Sequence, residues 1–233
     1  MKRKAILSLF DYTTETMRPW ADAGFMCFCV DIQHAEGFTA TDHENIIKCG
    51  ESVLDDEWLE VITERFDIVF GAAFPPCTDL AVSGARHFAS KLAANPEYRN
   101  EAMAMVYRSR DIFEALGCPY MIENPVSVIS SEWRKPDHVF HPYQYGGYIP
   151  MGQHVHPRWP EYIAARDAYP KKTCLWTGGG FTMPLQAEVD CDAAAYSIQF
   201  RKLGGKSMKT KNIRSATPRG FARALYLYNA PDA

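Results

Sequence analysis

Short apolar runs of strand length alternate with segments of helical period through the first half of this chain, and that alternation limits the fold more than any other feature. Lys4–Phe10 reads as a buried strand, Thr16–Ala23 as a helix that tolerates Pro19 in its first turn, and Phe25–Asp31 as a second strand. Gly24 closes that helix; Asp55–Glu64 is a further helix and Asp67–Ala73 a strand. Pro96–Leu116 is the longest helical stretch, stopped by Gly117, and Pro119–Glu123 is the next strand. Such a succession predicts an α/β fold with an open, largely parallel sheet and helices on both faces. Ligands of these sheets sit beyond the carboxyl ends of the strands, where Asp11, Asp31, Cys77 and Glu123 fall.

After Pro125 the pattern loosens. Residues 126–170 are rich in Pro, Gly, His, Tyr and Trp and predict loops wrapped over the sheet's edge. A short strand at Thr173–Trp176, a glycine turn at 178–180, a strand at Tyr196–Phe200 and a final helix at Pro218–Tyr228 complete the expected order. The chain of 233 residues can bury one sizeable core. No apolar run approaches the ~20 residues that span a bilayer, so no membrane partner is expected. Met1-Lys2-Arg3-Lys4 leads straight into a strand rather than a signal peptide. The seven cysteines are odd in number, mostly embedded in apolar segments, and form no CxxC, which fits reduced thiols and a cytoplasmic location. His154 and His156 share one side of an extended segment, but no third ligand accompanies them and no metal is expected. The formal net charge of −3 hides an asymmetry: from Arg201 onward there are eight Lys or Arg residues against Asp232 alone. Concentrated positive charge of this kind suits a polyanion.

Two motifs carry chemistry. Phe74-Pro75-Pro76-Cys77 places a thiol just after a rigid turn where a strand ends, and Glu123-Asn124-Pro125 places a carboxyl at the end of another. Pyrimidine C5 is a poor nucleophile while the ring stays aromatic. Addition of a thiolate to C6 makes C5 enamine-like, and a carboxylic acid at N3 takes up the charge that develops there. Cys77 suits the first role and Glu123 the second, with Asn124 orienting the carboxyl.

These residues, in this order, resemble the C5-cytosine-specific DNA methyltransferase family, in particular its compact, phage-type members, over most of the chain. Ser8-Leu9-Phe10-Asp11 followed by Trp20-Ala21-Asp22-Ala23-Gly24-Phe25 is similar to the family's first, cofactor-binding motif. Asp31 matches the acid that accepts ribose hydroxyls, Gly50-Glu51 loosely resembles the motif near the adenine, and Pro75-Pro76-Cys77 with Ser83-Gly84 matches the nucleophile and its mobile loop. Lys171-Lys172-Thr173-Cys174-Leu175-Trp176 resembles the basic strand start that reaches the target base, and Arg214 to Ala224 resembles the final motif, which returns to the cofactor pocket. The resemblance implies a Rossmann-like methyltransferase fold, S-adenosyl-L-methionine as donor, and duplex DNA with a flipped cytosine as partner. It implies catalytic roles for Cys77, Glu123, Asn124 and Lys172. Cofactor contacts are implied for Phe10, Asp11, Tyr12, Thr13, Thr14, Asp31, Ile32, Glu51, Pro75 and Thr217. DNA contacts are implied for Ser83, Arg86, Arg201, Lys202, Lys206, Lys209, Lys211 and Arg214. The implied organisation is a catalytic domain over residues 1–176, a reduced recognition and basic segment over 177–213, and a returning loop and helix over 214–233, acting as a monomer in the cytoplasm (the host's, if phage-encoded).

The chain departs from the family in two places. The first turn, Asp11-Tyr12-Thr13-Thr14-Glu15, has no glycine, and the nearby Arg18 leaves open a donor that carries an extra carboxylate. Residues 177–213 are too few for a separate recognition domain, so affinity is expected to rest on phosphate contacts, and a nucleotide or single strand is an alternative substrate. A non-catalytic DNA-binding relative with a degraded donor turn is the alternative of another class.

Overall fold

Ala5, Leu7 and Leu9 point to one side of the first strand and Ile6 to the other, and none of the four is exposed. A strand buried on both faces must lie inside a sheet that is covered twice. The computed structural model describes residues 2–191, 202–203 and 207–231. Its strands are β1 (Arg3–Leu9), β2 (Met26–Val30), β3 (Phe38–Ala40), β4 (Ile46–Cys49), β5 (Phe66–Ala73), β6 (Tyr120–Pro125), β7 (His138–Phe140) and β8 (Thr173–Gly178). They form one sheet in the order β3-β4-β2-β1-β5-β6-β8-β7. The interior pairings β4-β2, β2-β1, β1-β5 and β5-β6 are parallel, whereas β3-β4, β6-β8 and β8-β7 are antiparallel. The chain is therefore α/β with a mixed, mostly parallel eight-stranded sheet.

The helices are α1 (Arg18–Asp22), α2 (Glu57–Arg65), α3 (Phe88–Ala94), α4 (Tyr98–Leu116), α5 (Ile129–Glu132), α6 (Met208–Ser215) and α7 (Arg219–Asn229). Trp58 and Ile62 of α2 and Val106, Ile112 and Phe113 of α4 join Ala5, Leu7 and Leu9 in one core cluster. Trp20 of α1 and Phe221 and Leu225 of α7 join Ile6, Phe70 and Met121 in the other. Trp20 stacks on Phe70 at 4.9 Å and Phe140 on Phe221 at 4.0 Å. Buried side chains of this size contribute about 1.5–3 kcal/mol each. Gly220 lets α7 approach closely: a Cβ there would lie 2.2 Å from the Tyr145 carbonyl oxygen.

Several sequence expectations are corrected. The first helix is only Arg18–Asp22, because residues 11–17 form the turn that precedes it. Strands β3 and β4 lie in a stretch with no strand-like pattern, and β7 forms inside the region expected to be loops. Helix α6 occupies much of the basic stretch, with Ile213 packed against Ile163, Tyr169 and Leu203. The expected strand at 196–200 lies outside the described residues. The described part of 177–213 folds back onto the rest: Ala187 and Val189 donate backbone bonds to Gln144 and Tyr143 at 2.9 and 3.0 Å. No helix among the described residues is long and apolar enough to cross a membrane.

Candidate active site

Alternation along β6 and β8 decides what faces what. Met121 lies in the α1/α7 cluster, so Glu123 projects toward that side, while Asn124 turns to the other. Glu123 lines a small cavity with Phe74, Phe140, Lys171, Thr173 and Thr217. Its volume is about 10 Å3, enough for one water at most. The Oε1 atom of Glu123 is fully enclosed and has no hydrogen-bond partner. Burial raises the carboxyl pKa above its ordinary value, and the Lys171 ammonium opposes that shift. A buried acid with an unused oxygen holds its proton more readily than a surface one and can donate it.

Cys77 opens a short 3₁₀ turn, Cys77–Asp79, directly beyond β5. Its carbonyl accepts from the Leu80 and Ala81 amides at 3.1 and 2.8 Å, which fixes the backbone while the side chain stays exposed. One flank opens to solvent, yet the atoms packed behind the sulfur make desolvation the largest influence on it, and desolvation raises the thiol pKa. Glu123 raises it further, whereas Lys171 and Lys211 lower it. The two motif residues are thus in electrostatic reach of each other. Behind them, Asn124 donates to the Pro75 carbonyl at 2.9 Å, tying the Pro-Pro-Cys turn to β6, and its Oδ1 is buried without a partner.

The cation beside Glu123 is Lys171, whereas the sequence expectation named Lys172. On β8, Thr173 and Leu175 face the site and Cys174 and Trp176 face away, so Lys171 shares the site's side. Lys172 is exposed and acts electrostatically on His141 and Cys174 instead. Lys171 donates to the Arg214 carbonyl at 2.9 Å. Because Glu123 raises and Lys171 lowers the Cys77 pKa, Glu123→Gln should speed iodoacetamide alkylation of Cys77 at pH 8 and Lys171→Met should slow it, each by roughly threefold. Peptide mapping separates Cys77 from the other exposed thiol, Cys191. Equal rates in all three proteins would separate these groups electrically.

The first turn meets its lack of glycine with side-chain bonds. Phe10 and Thr14 both adopt left-handed backbone, with φ of 56° and 63°. Non-glycine residues in that region cost about 1–3 kcal/mol and persist only where neighbours hold them. Here Asp11 does the holding: its carboxylate accepts from Ser8 Oγ at 2.8 Å, the Thr14 amide at 2.8 Å and Thr13 Oγ1 at 3.3 Å. Burial pushes the Asp11 pKa up to about 6 despite those bonds, with Asp31 and Glu15 adding to the rise. Arg158, which no motif indicated, clamps the turn from outside by donating to the Thr13 carbonyl at 2.8 Å and to Glu15 at 3.1 Å. Tyr12 stacks on His34 at 5.4 Å.

The other expected donor residues divide. Asp31 is buried at the end of β2, accepts from the Gln33 amide at 2.8 Å, and has its pKa raised by burial. Ile32 beside it is 77% exposed, an apolar face free to cover a ring. Thr217 bonds Thr16 at 2.6 Å, joining the α6–α7 connection to the turn, and Pro75 is buried. Glu51 instead accepts from the Gly37 amide at 3.1 Å and holds the β3 edge. Among the expected DNA contacts, Ser83 and Arg86 are exposed on the 3₁₀ segment Val82–His87 just beyond Cys77. Lys211 on α6 lies close enough to influence Cys77, and Asn212 reaches Gln33 at 3.3 Å, so α6 bridges the two ends of the site. Lys209 sits over the Tyr162 ring, and Lys202 donates to the Glu161 carbonyl at 3.3 Å. Arg214 donates to the Leu203 carbonyl. Arg201 and Lys206 lie outside the described residues. Among the described residues no group of three or more His, Cys, Asp or Glu is placed to hold a metal. Neither a scan of protein-family models nor a search of curated proteins returns a match to this chain.

Proposed function

We propose that the chain is a DNA cytosine C5-methyltransferase of Rossmann-like fold, with Cys77 as nucleophile and Glu123 as acid. The observation that carries this reading is the buried, partnerless carboxyl oxygen of Glu123 within electrostatic reach of an exposed thiol at the same sheet edge. Structural carboxylates are normally paired when buried; one left unpaired is suited to a ligand.

The residues at the ends of β1 and β2 fit S-adenosyl-L-methionine. Asp31 offers a carboxylate for vicinal hydroxyls, Ile32 an exposed apolar face for a heterocycle, and Thr13 and Thr14 a hydroxyl-bearing turn. When bound, that donor supplies an electrophilic methyl. The protein's own part begins with Cys77, whose sulfur loses its proton to solvent with help from Lys171 and Lys211 and bonds to C6. Glu123 gives its proton to N3, so that the ring stays neutral as C5 becomes nucleophilic. Once C5 has been alkylated, its proton passes to solvent, the Cys77 thiolate leaves C6, and N3 returns its proton to Glu123, which restores both the aromatic ring and the acid. Since the cavity beside Glu123 is too small for a pyrimidine, Lys171 must swing from the Arg214 carbonyl as the base arrives. Arg86 and the lysines of α6 supply phosphate contacts around it.

The test is mass spectrometry of nucleosides from the DNA of cells that express the protein. A methylated cytosine, absent in cells expressing Cys77→Ser, is expected; a larger added group would move the donor to a carboxylated variant. Unmodified cytosine throughout would overturn the reading.

A further inference from the structure

A second cleft, of about 520 Å3, shares only Thr13 and Thr14 with the residues assigned above to the donor. It lies between α1, β4, the loop around 149–158 and the start of α7, and its lining is cationic: Arg18, Lys48, Arg158, Arg219 and Arg223. The acids present, Glu15, Asp22 and Asp42, each have a side-chain partner, an arginine for Glu15 and Asp42 and an imidazole for Asp22. Glu15 pairs with Arg158 at 3.1 Å, Asp42 with Arg18 at 3.3 Å, and Asp22 with His43 at 3.2 Å. Arg219 donates to the backbone carbonyls of Gln153 and Val155 at 3.0 and 3.1 Å rather than to an acid. The side chains of Lys48 and Arg223 make no hydrogen bond or ion pair among the described residues. Three cations therefore converge from two elements with no carboxylate hydrogen-bonded to their charged groups, although buried Asp167 lies close enough to Arg219 to feel its charge.

We propose that this cleft binds a small phosphate-bearing anion, held by Lys48, Arg219 and Arg223. Arg219 and Arg223 stand four residues apart on α7 and so share a face, which Lys48 opposes from β4. Guanidinium forks and an ammonium arranged around one space suit an anion with several oxygens better than a single carboxylate. The volume is that of a small-molecule site, and a concave cleft receives a free ligand more readily than the convex backbone of a duplex. None of these residues takes part in the Cys77 and Glu123 chemistry, so the inference stands or falls separately from it.

Titration calorimetry of the full-length protein with inorganic pyrophosphate, at fixed ionic strength, tests it. Saturable binding at one site is expected, weakened about tenfold in both Lys48→Met and Arg223→Gln and unchanged in Lys202→Gln on the basic stretch. Both cleft variants change partly exposed side chains, and their melting temperatures should match the wild type, which separates lost binding from lost folding. Absence of saturable binding, or equal weakening in Lys202→Gln, would overturn the proposal. A short DNA duplex is the competing source of phosphate. Displacement of pyrophosphate by the duplex, with the same variants weakening both, would assign the cleft to nucleic-acid backbone and overturn the small ligand; failure to displace supports it.

Discussion

Duplex DNA carrying 5-fluorocytosine, incubated with the protein and S-adenosyl-L-methionine, should become covalently attached to the wild type and not to Cys77→Ser. The fluorine at C5 cannot leave as hydrogen does, so the final elimination is blocked and the sulfur stays bonded to C6. Serine keeps the shape of the side chain, but its hydroxyl ionises far less readily than a thiol, so the adduct band should disappear almost completely. The substitution should leave folding alone. The side chain is exposed, and the turn is held through the Cys77 carbonyl by the Leu80 and Ala81 amides, so a stability change within about 0.5 kcal/mol is expected. The adducted peptide must contain Cys77; an adduct in Cys77→Ser, or on Cys191, would remove the nucleophile from this position.

How much of this was legible in the sequence follows from where burial leaves a mark. The strands β1, β2, β5 and β6 are buried on both faces and read as apolar runs, which is why their positions came out close to those found. Strand β3 was missed because it sits at the sheet edge, where Phe38 and Ala40 are exposed and Thr39 is polar, and β4, one place inward, because it is only four residues long and interrupted by Lys48. Helix α3 was missed for a related reason: none of its residues is buried, so no periodic stripe distinguishes it. The placement of Cys77 and Glu123 at the ends of neighbouring strands was legible because Pro75-Pro76 and Pro125 punctuate the apolar runs of β5 and β6. Choosing between Lys171 and Lys172 needed the pleat of β8, and Arg158 could not be found at all, since its contact to Thr13 joins residues 145 positions apart. The glycine-free turn looked like a defect. It is a turn in which Asp11 and Arg158 supply by hydrogen bonding the hold that lets Phe10 and Thr14 take a left-handed backbone.

Glu123→Gln should reduce turnover by about 10²–10⁴-fold while changing DNA affinity by less than about threefold. Glutamine fills the same space and can still donate a hydrogen bond to a ring nitrogen, but it cannot transfer a proton. The loss should therefore fall on the rate of the chemical step, read in a single-turnover experiment, and not on substrate binding. Electrostatics makes this a demanding test. The carboxyl raises the Cys77 pKa, so removing its charge makes the thiol more ionised and a better nucleophile at neutral pH. A residue that served only to tune the sulfur would, when neutralised, leave turnover equal to or above the wild type. Slower methylation combined with faster alkylation of Cys77 can arise only if the lost proton matters more than the gained thiolate. The same variant also bears on pH. Burial raises the pKa of Glu123, so the active, protonated form is depleted as pH rises through that pKa, and wild-type turnover should fall on the alkaline side for this group. That limb should be absent in Glu123→Gln, whose remaining activity should only rise with pH as Cys77 ionises. An alkaline decline of unchanged shape in the variant would place the titrating acid elsewhere and leave Glu123 as a packing residue.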